Sequence, residues 1–131
     1  MRAFIDTSAF MAVLNAGDRF HRKASAVWRR ELTSDTEFVT TNYVLVETIA
    51  LLQHRIGLKA VGVFERDILP AITVEWVDAA DHRSGMAAVL ASGRRKLSLV
   101  DCVSFEVMRS LGLRHCFTFD RHFAAQGFSS L

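Results

Sequence analysis

Arg2-Ala3-Phe4-Ile5-Asp6-Thr7-Ser8-Ala9-Phe10-Met11-Ala12-Val13-Leu14 decides the fold. Arg2 to Ile5 reads as a short strand. Asp6-Thr7-Ser8 ends it, and Ala9 to Leu14 reads as a helix stopped by Asn15 and Gly17. An acid therefore stands at the carboxyl end of a strand, at the entry to a helix.

The same unit returns further along. Glu37 to Thr40 reads as a second strand, and Ile72 to Val77 as a third. Arg114 to Phe119 reads as a fourth, ended by Asp120 before a helical turn over Arg121 to Ala125. Between the strands lie helical patterns. Asp18 opens one with an apolar stripe of Ala24, Val27, Trp28 and Leu32. Asn42 is the expected N-cap of the next, Tyr43 to about Ile56, which Gly57 closes. Leu58 to Leu69 reads as a fourth helix, ended by Pro70. Asp78 or Asp81 caps a fifth, Ala79 to about Leu90, interrupted by Gly85. Ser98 opens a sixth that stops at Gly112, and Phe128 to Leu131 is expected to add a last edge strand. This alternation predicts one α/β domain over residues 1–131, with a mainly parallel central sheet flanked by helices on both faces. Such sheets bind ligands at the carboxyl ends of their strands, near a topological switch point.

The chain of 131 residues carries 16 Lys and Arg against 14 Asp and Glu. That balance excludes a bulk electrostatic nucleic-acid arm, so any anion binding must be local. Cys102 and Cys116 lack zinc-like spacing and are expected reduced and buried. No apolar run approaches the roughly 18 residues a membrane helix needs. The expectation is a cytoplasmic protein with no membrane association. Walker and dinucleotide-binding glycine motifs are absent, and the five histidines are too scattered to suggest a histidine-based mechanism.

Four acids stand out. Asp6 and Asp120 each follow a strand directly. Asp101 lies in Ser98-Leu99-Val100-Asp101-Cys102-Val103-Ser104-Phe105, among apolar residues. Glu47 is the only charged residue from Tyr43 through Leu52, with Val44 and Leu51 flanking it on one helix face. Each has an ordinary explanation. Asp6 and Asp120 could be N-caps, Asp101 the third-position carboxylate of a capping box with Ser98, and Glu47 half of a buried salt bridge. Together they describe something else. Converging carboxylates repel unless a cation joins them, and oxygen ligation suits Mg²⁺ or Mn²⁺. The remaining positions on such an ion suit a phosphate oxygen and an attacking water, the chemistry of phosphodiester hydrolysis. Thr7, Ser8, Ser104 and Thr118 lie beside or near three of the acids and could orient ligands or waters, local capping being the alternative for each and foremost for Thr7 and Ser8.

Four segments then carry a resemblance. Ile5-Asp6-Thr7-Ser8, Val46-Glu47-Thr48, Leu99-Val100-Asp101-Cys102-Val103-Ser104-Phe105 and Phe117-Thr118-Phe119-Asp120-Arg121-His122-Phe123 follow the order of a PIN-domain ribonuclease. The chain resembles the toxins of VapBC toxin–antitoxin pairs over essentially its whole length. The resemblance implies that Asp6, Glu47, Asp101 and Asp120 form an acidic metal-binding and catalytic set, assisted by hydroxyls. It implies a Mg²⁺- or Mn²⁺-dependent endoribonuclease acting on single-stranded or loop RNA, with an antitoxin partner and a homodimeric state. A PIN-type RNA-processing nuclease without antitoxin, or a non-catalytic RNA-binding domain on the same fold, are the alternatives. For RNA contact the candidates are Arg94-Arg95-Lys96, Arg121 and the Arg19 to Lys23 cluster. Trp28, Trp76, Tyr43 and the phenylalanines could stack bases, although aromatics at such spacings more often fill cores.

Overall fold

The computed structural model describes residues 1–131. Five strands form one sheet: β1 (Arg2–Ile5), β2 (Glu37–Thr41), β3 (Ile72–Glu75), β4 (His115–Phe117) and β5 (Ser129–Ser130). Their spatial order is β3-β2-β1-β4-β5, and every pairing is parallel. Ala3, Phe4 and Ile5 of β1 are all fully buried. Successive side chains point to opposite faces, so both faces of the sheet are covered.

Seven helices do the covering: α1 (Thr7–Leu14), α2 (His21–Thr33), α3 (Asn42–Arg55), α4 (Leu58–Val63), α5 (Ala79–Ser92), α6 (Leu99–Ser110) and α7 (Arg121–Ala125). The chain runs outward from β1 through β2 to β3, then returns to place β4 on the other side of β1. The switch point therefore lies between β1 and β4, and Asp6 and Asp120 sit just beyond the carboxyl ends of those strands.

Several expectations need correction. The cap of α3 is Thr41, whose Oγ1 accepts from Val44 N at 3.2 Å. Asn42 is instead the first helical residue, and its Oδ1 accepts from Val77 N at 2.7 Å, tying α3 to the chain after β3. The helix expected over Leu58 to Leu69 is regular only to Val63. It widens into a π-helical turn over Phe64–Ile68 and tightens to 3₁₀ over Leu69–Ala71. Phe64 and Ile68 are thereby both turned into the core. Strand β4 ends at Phe117 because Thr118 leaves the ladder to hydrogen-bond Asp6.

Helix α5 is capped by Asp78 and continues through Gly85. A Cβ at Gly85 would stand 2.5 Å from Val103 Cγ2 of α6, so the glycine is what lets α5 approach α6. That contact seats α6, and with it Asp101, against the sheet. Cys102 and Cys116 are buried free thiols, as expected. No helix is long and apolar enough to cross a membrane.

Candidate active site

A cleft of about 300 Å³ opens at the carboxyl end of the sheet. Asp6, Glu47, Asp101 and Asp120 all line it. Three of them also serve the backbone in the ordinary ways open to them from sequence. Asp6 is the N-cap of α1, Asp120 the N-cap of α7, and Asp101 closes a capping box with Ser98. Capping uses only part of a carboxylate. Asp101 accepts from Ser98 N through Oδ2, and Asp120 accepts from His122 N through Oδ1. Asp101 Oδ1 and Asp120 Oδ2 take no protein donor. Cap and ligand are thus compatible duties for one side chain.

Asp6 is the most enclosed of the four. Its Oδ1 accepts from Ala9 N at 3.1 Å and from Ser8 Oγ at 2.7 Å, and its Oδ2 accepts from Thr118 Oγ1 at 2.8 Å. Burial lifts its pKa to about 7 despite those three bonds, and the nearby Asp120 charge adds to the rise. Asp101 is also raised, first by burial and further by Asp120, while the bond from Ser98 N opposes the shift. Asp101, Asp120 and His122 each present one ligand atom, all within 4.8 Å of one another. Asp6 and Glu47 stand outside that tightest group while sharing the cleft.

Ser8 and Thr118 form one network. Thr118 Oγ1 donates to Asp6 and accepts from Asp120 N at 2.9 Å. Ser8 Oγ accepts from Phe119 N at 2.9 Å while donating to Asp6. Two hydroxyls therefore fix the spacing of the first and last acids. The other two also line the cleft, and their hydrogen bonds are made to and between helices. Thr7 Oγ1 pairs with Thr48 Oγ1 across α1 and α3, and Ser104 Oγ donates to Val100 O within α6.

Glu47 is half-buried and forms neither an ion pair nor a hydrogen bond with the protein, so the salt bridge open to it from sequence is absent. Arg55, one face along α3, is the only cation in the cleft lining, and it too has no carboxylate partner. The Arg94-Arg95-Lys96 loop is exposed and precedes α6 without entering the cleft. Arg121 lies at the cleft's outer edge.

His122, which no histidine spacing marks as half of a catalytic pair, places its Nδ1 2.7 Å from Asp120 Oδ1. Its signal is local: an N-cap acid two residues before a histidine folds the ring back onto the cap. Phe123 enforces this, being buried against Phe4 and Phe105 and pinning the single turn of α7. Asp18, Phe20 and Phe119 also line the cleft, and no spacing in the chain signals them.

The model of the PIN domain family matches residues 3–128. The 23S rRNA-specific endonuclease VapC20 of Mycobacterium tuberculosis is 35% identical over 126 residues, which cover 95% of this chain and 94% of that protein. The crystal structure of that VapC20, described as a sarcin-ricin loop cleaving toxin, superposes with a TM-score of 0.86 at 34% identity over 96% of this chain and 95% of the other. FitAcB of Neisseria gonorrhoeae shares the fold at a TM-score of 0.70 and 16% identity, over 100% of this chain and 96% of the other. Capped acids at the sheet's switch point and a match over nearly all residues agree, and the chain belongs to the PIN domain family.

Proposed function

We propose that this protein is a divalent-metal-dependent endoribonuclease, the toxin of a toxin–antitoxin pair, and that its substrate is the sarcin-ricin loop of 23S rRNA. The observation that carries the reading is the convergence of Asp6, Glu47, Asp101 and Asp120 on one cleft, two of them with a carboxylate oxygen free of protein donors. The substrate follows from the likeness to VapC20 over 95% of the chain.

The donor set suits Mg²⁺ or Mn²⁺. Carboxylate oxygens predominate, with one imidazole at the margin, and no thiolate lines the cleft. Burial raises the pKa of Asp6 to about 7, with a smaller contribution from the Asp120 charge, and a cation beside it would favour the ionised form. Asp6, Asp101 and Asp120 would hold the ion, with Glu47 closing from α3. When bound, it supplies Lewis-acid stabilisation of the phosphate and a more acidic water.

The chain's own groups supply the rest. Ser8 and Thr118 hold Asp6 in one orientation, so its geometry is set before substrate arrives. His122 Nδ1 donates to Asp120 Oδ1 and so helps fix that carboxylate, whose Oδ2 has no protein donor. Arg55 offers a guanidinium to the phosphate from the opposite wall. An antitoxin segment would seat in the depression formed by Asn42, Tyr43, Val46, Glu47 and Val100, which opens beside the cleft and shares Glu47 with it. Val46 is 68% exposed there. Exposed Trp76 and Leu90 are compatible with a homodimer.

The test is cleavage of a synthetic sarcin-ricin hairpin and of intact 23S rRNA. Cutting at one position with Mn²⁺ or Mg²⁺, abolished by EDTA and by Asp101→Asn, is the expected result. Both RNAs surviving with either metal would overturn the assignment.

A further inference from the structure

We infer that Phe20 and Phe119, flanked by Arg19 and Arg121, form a shelf that stacks one base of the RNA next to the scissile phosphate. This rests on the endoribonuclease reading above and names a binding element within it.

The two rings lie parallel, with centroids 4.6 Å apart and planes inclined by 7°. Neither belongs to the buried core; both pack against it from outside and stay partly exposed. Both line the carboxylate cleft and also an adjoining, shallower depression of about 640 Å³. Arg19, Arg121, Asp120 and His122 share the lining of that depression. The shelf is therefore continuous with the acids, separated from Asp120 by a single peptide.

It is also rigid. Phe119 N donates to Ser8 Oγ, the same hydroxyl that holds Asp6, and Phe20 N donates to Asp18 Oδ1 at 2.8 Å. A base stacked here is thus held at a fixed offset from the acidic cluster. With Phe119 stacked on Phe20, the Arg19 guanidinium also lies over the Phe20 ring, 4.5 Å from its centroid. Arg19 is exposed and makes no ion pair, as is Arg121. A base takes the place of the guanidinium on the ring, and Arg19 turns to the neighbouring phosphate. Parallel aromatic faces with unpaired arginines beside them are what single-stranded nucleic acid recognition uses. Stacking tolerates any base, so the shelf adds affinity and register, not base choice.

Two measurements decide this. The first follows fluorescence quenching of a short single-stranded RNA carrying one 2-aminopurine, titrated with metal-free protein. Wild type and Phe20→Tyr should quench it, and Phe20→Leu should bind about tenfold more weakly with little quenching. The second measures hairpin cleavage, where Phe20→Leu and Phe119→Leu should raise KM about tenfold at nearly constant kcat, with Phe20→Tyr restoring KM. Equal behaviour of the Leu and Tyr variants would overturn the shelf while leaving the nuclease standing. The quenching titration needs no cleavage, so it decides the shelf even if wild type cuts neither RNA and the nuclease reading fails. Should the Leu variants unfold, the exposed Arg19→Ala and Arg121→Ala carry the same test. Each is expected to weaken binding several-fold, and unchanged binding in both overturns the shelf.

Discussion

The two walls of the cleft are built in opposite ways. On the sheet side, Asp6, Asp101 and Asp120 are each tied into a helix start by backbone N–H groups, and Asp6 and Asp120 also by hydroxyl or imidazole. On the α3 side, Glu47 and Arg55 reach the cleft with no protein partner. The first wall is preorganised, and its cost is visible in the raised pKa values of Asp6 and Asp101. The second wall is free to adjust. A site of this kind separates two tasks: fixed acids define where charge must be compensated, and adaptable groups close on whatever arrives.

Substitution of the acids is the largest break in that comparison. Asp101→Asn and Asp6→Asn should lower RNA cleavage on the order of 10³-fold, because a fixed charge aimed at the reacting centre disappears. Glu47→Gln should cost less, about 10- to 100-fold, as an adjustable group at the margin. Single-turnover rates on the hairpin measure all three. If Glu47→Gln matches Asp101→Asn, the two walls are not functionally distinct.

The pH dependence of stability sharpens the same contrast. An unfolded aspartate titrates near 3.9, whereas Asp6 titrates near 7 in the folded protein. Below about pH 3.9 it is protonated in both states. Between that value and about 7, the unfolded chain releases the proton while the folded one retains it. The stability present at low pH is therefore lost as pH rises through 7, by up to about 4 kcal/mol. In chelator, Asp6→Asn should gain Tm relative to wild type between pH 4 and pH 8, and Mn²⁺ at pH 8 should close the gap by stabilising only the wild type. Melting curves that stay parallel across this range would show that burial does not raise Asp6.

A smaller effect probes the network behind the fixed wall. Thr118→Val keeps the side-chain shape and removes both the donor to Asp6 and the acceptor for Asp120 N. The expected result is a 10- to 100-fold loss of activity with about 1–3 kcal/mol of destabilisation. Ser104→Ala is the contrast, since that hydroxyl serves only Val100 O, and its activity should stay close to wild type. Equal losses in the two variants would mean that Thr118 acts through packing alone.

What the sequence discloses and what it hides follow the same division. Strand–Asp–helix units at Asp6 and Asp120 are local patterns, so the parallel sheet and the position of both acids at its carboxyl edge are legible. The choice between cap and ligand looked exclusive in one dimension and dissolves in three, because a carboxylate has two oxygens. Gly85 reads as an interruption because its reason, Val103, lies on another helix. Thr41 takes the cap from Asn42 because Asn42 is claimed by Val77, thirty-five residues on. The Phe20–Phe119 pair is hidden for the same reason, since stacking across 99 residues of chain leaves no periodicity to read, whereas the fold-back of His122 onto Asp120 is a local pattern two residues long.

The basic loop before α6 lies outside the cleft lining. Arg94, Arg95 and Lys96 are solvated and stand off the cleft, whereas Arg55 lines it. Loop cations of this kind are expected to meet phosphates remote from the cut, adding affinity without shaping the reaction. Arg95→Ala should then weaken RNA binding uniformly across sequences, reduce the slope of log K against log salt by about 1, and leave kcat unchanged. Arg55→Ala, by contrast, should act near the scissile phosphate and change the single-turnover rate at saturating RNA. Binding isotherms at several salt concentrations separate the two. A salt slope unchanged in Arg95→Ala would remove the loop from the RNA path and leave α3, α7 and the aromatic shelf as its boundaries.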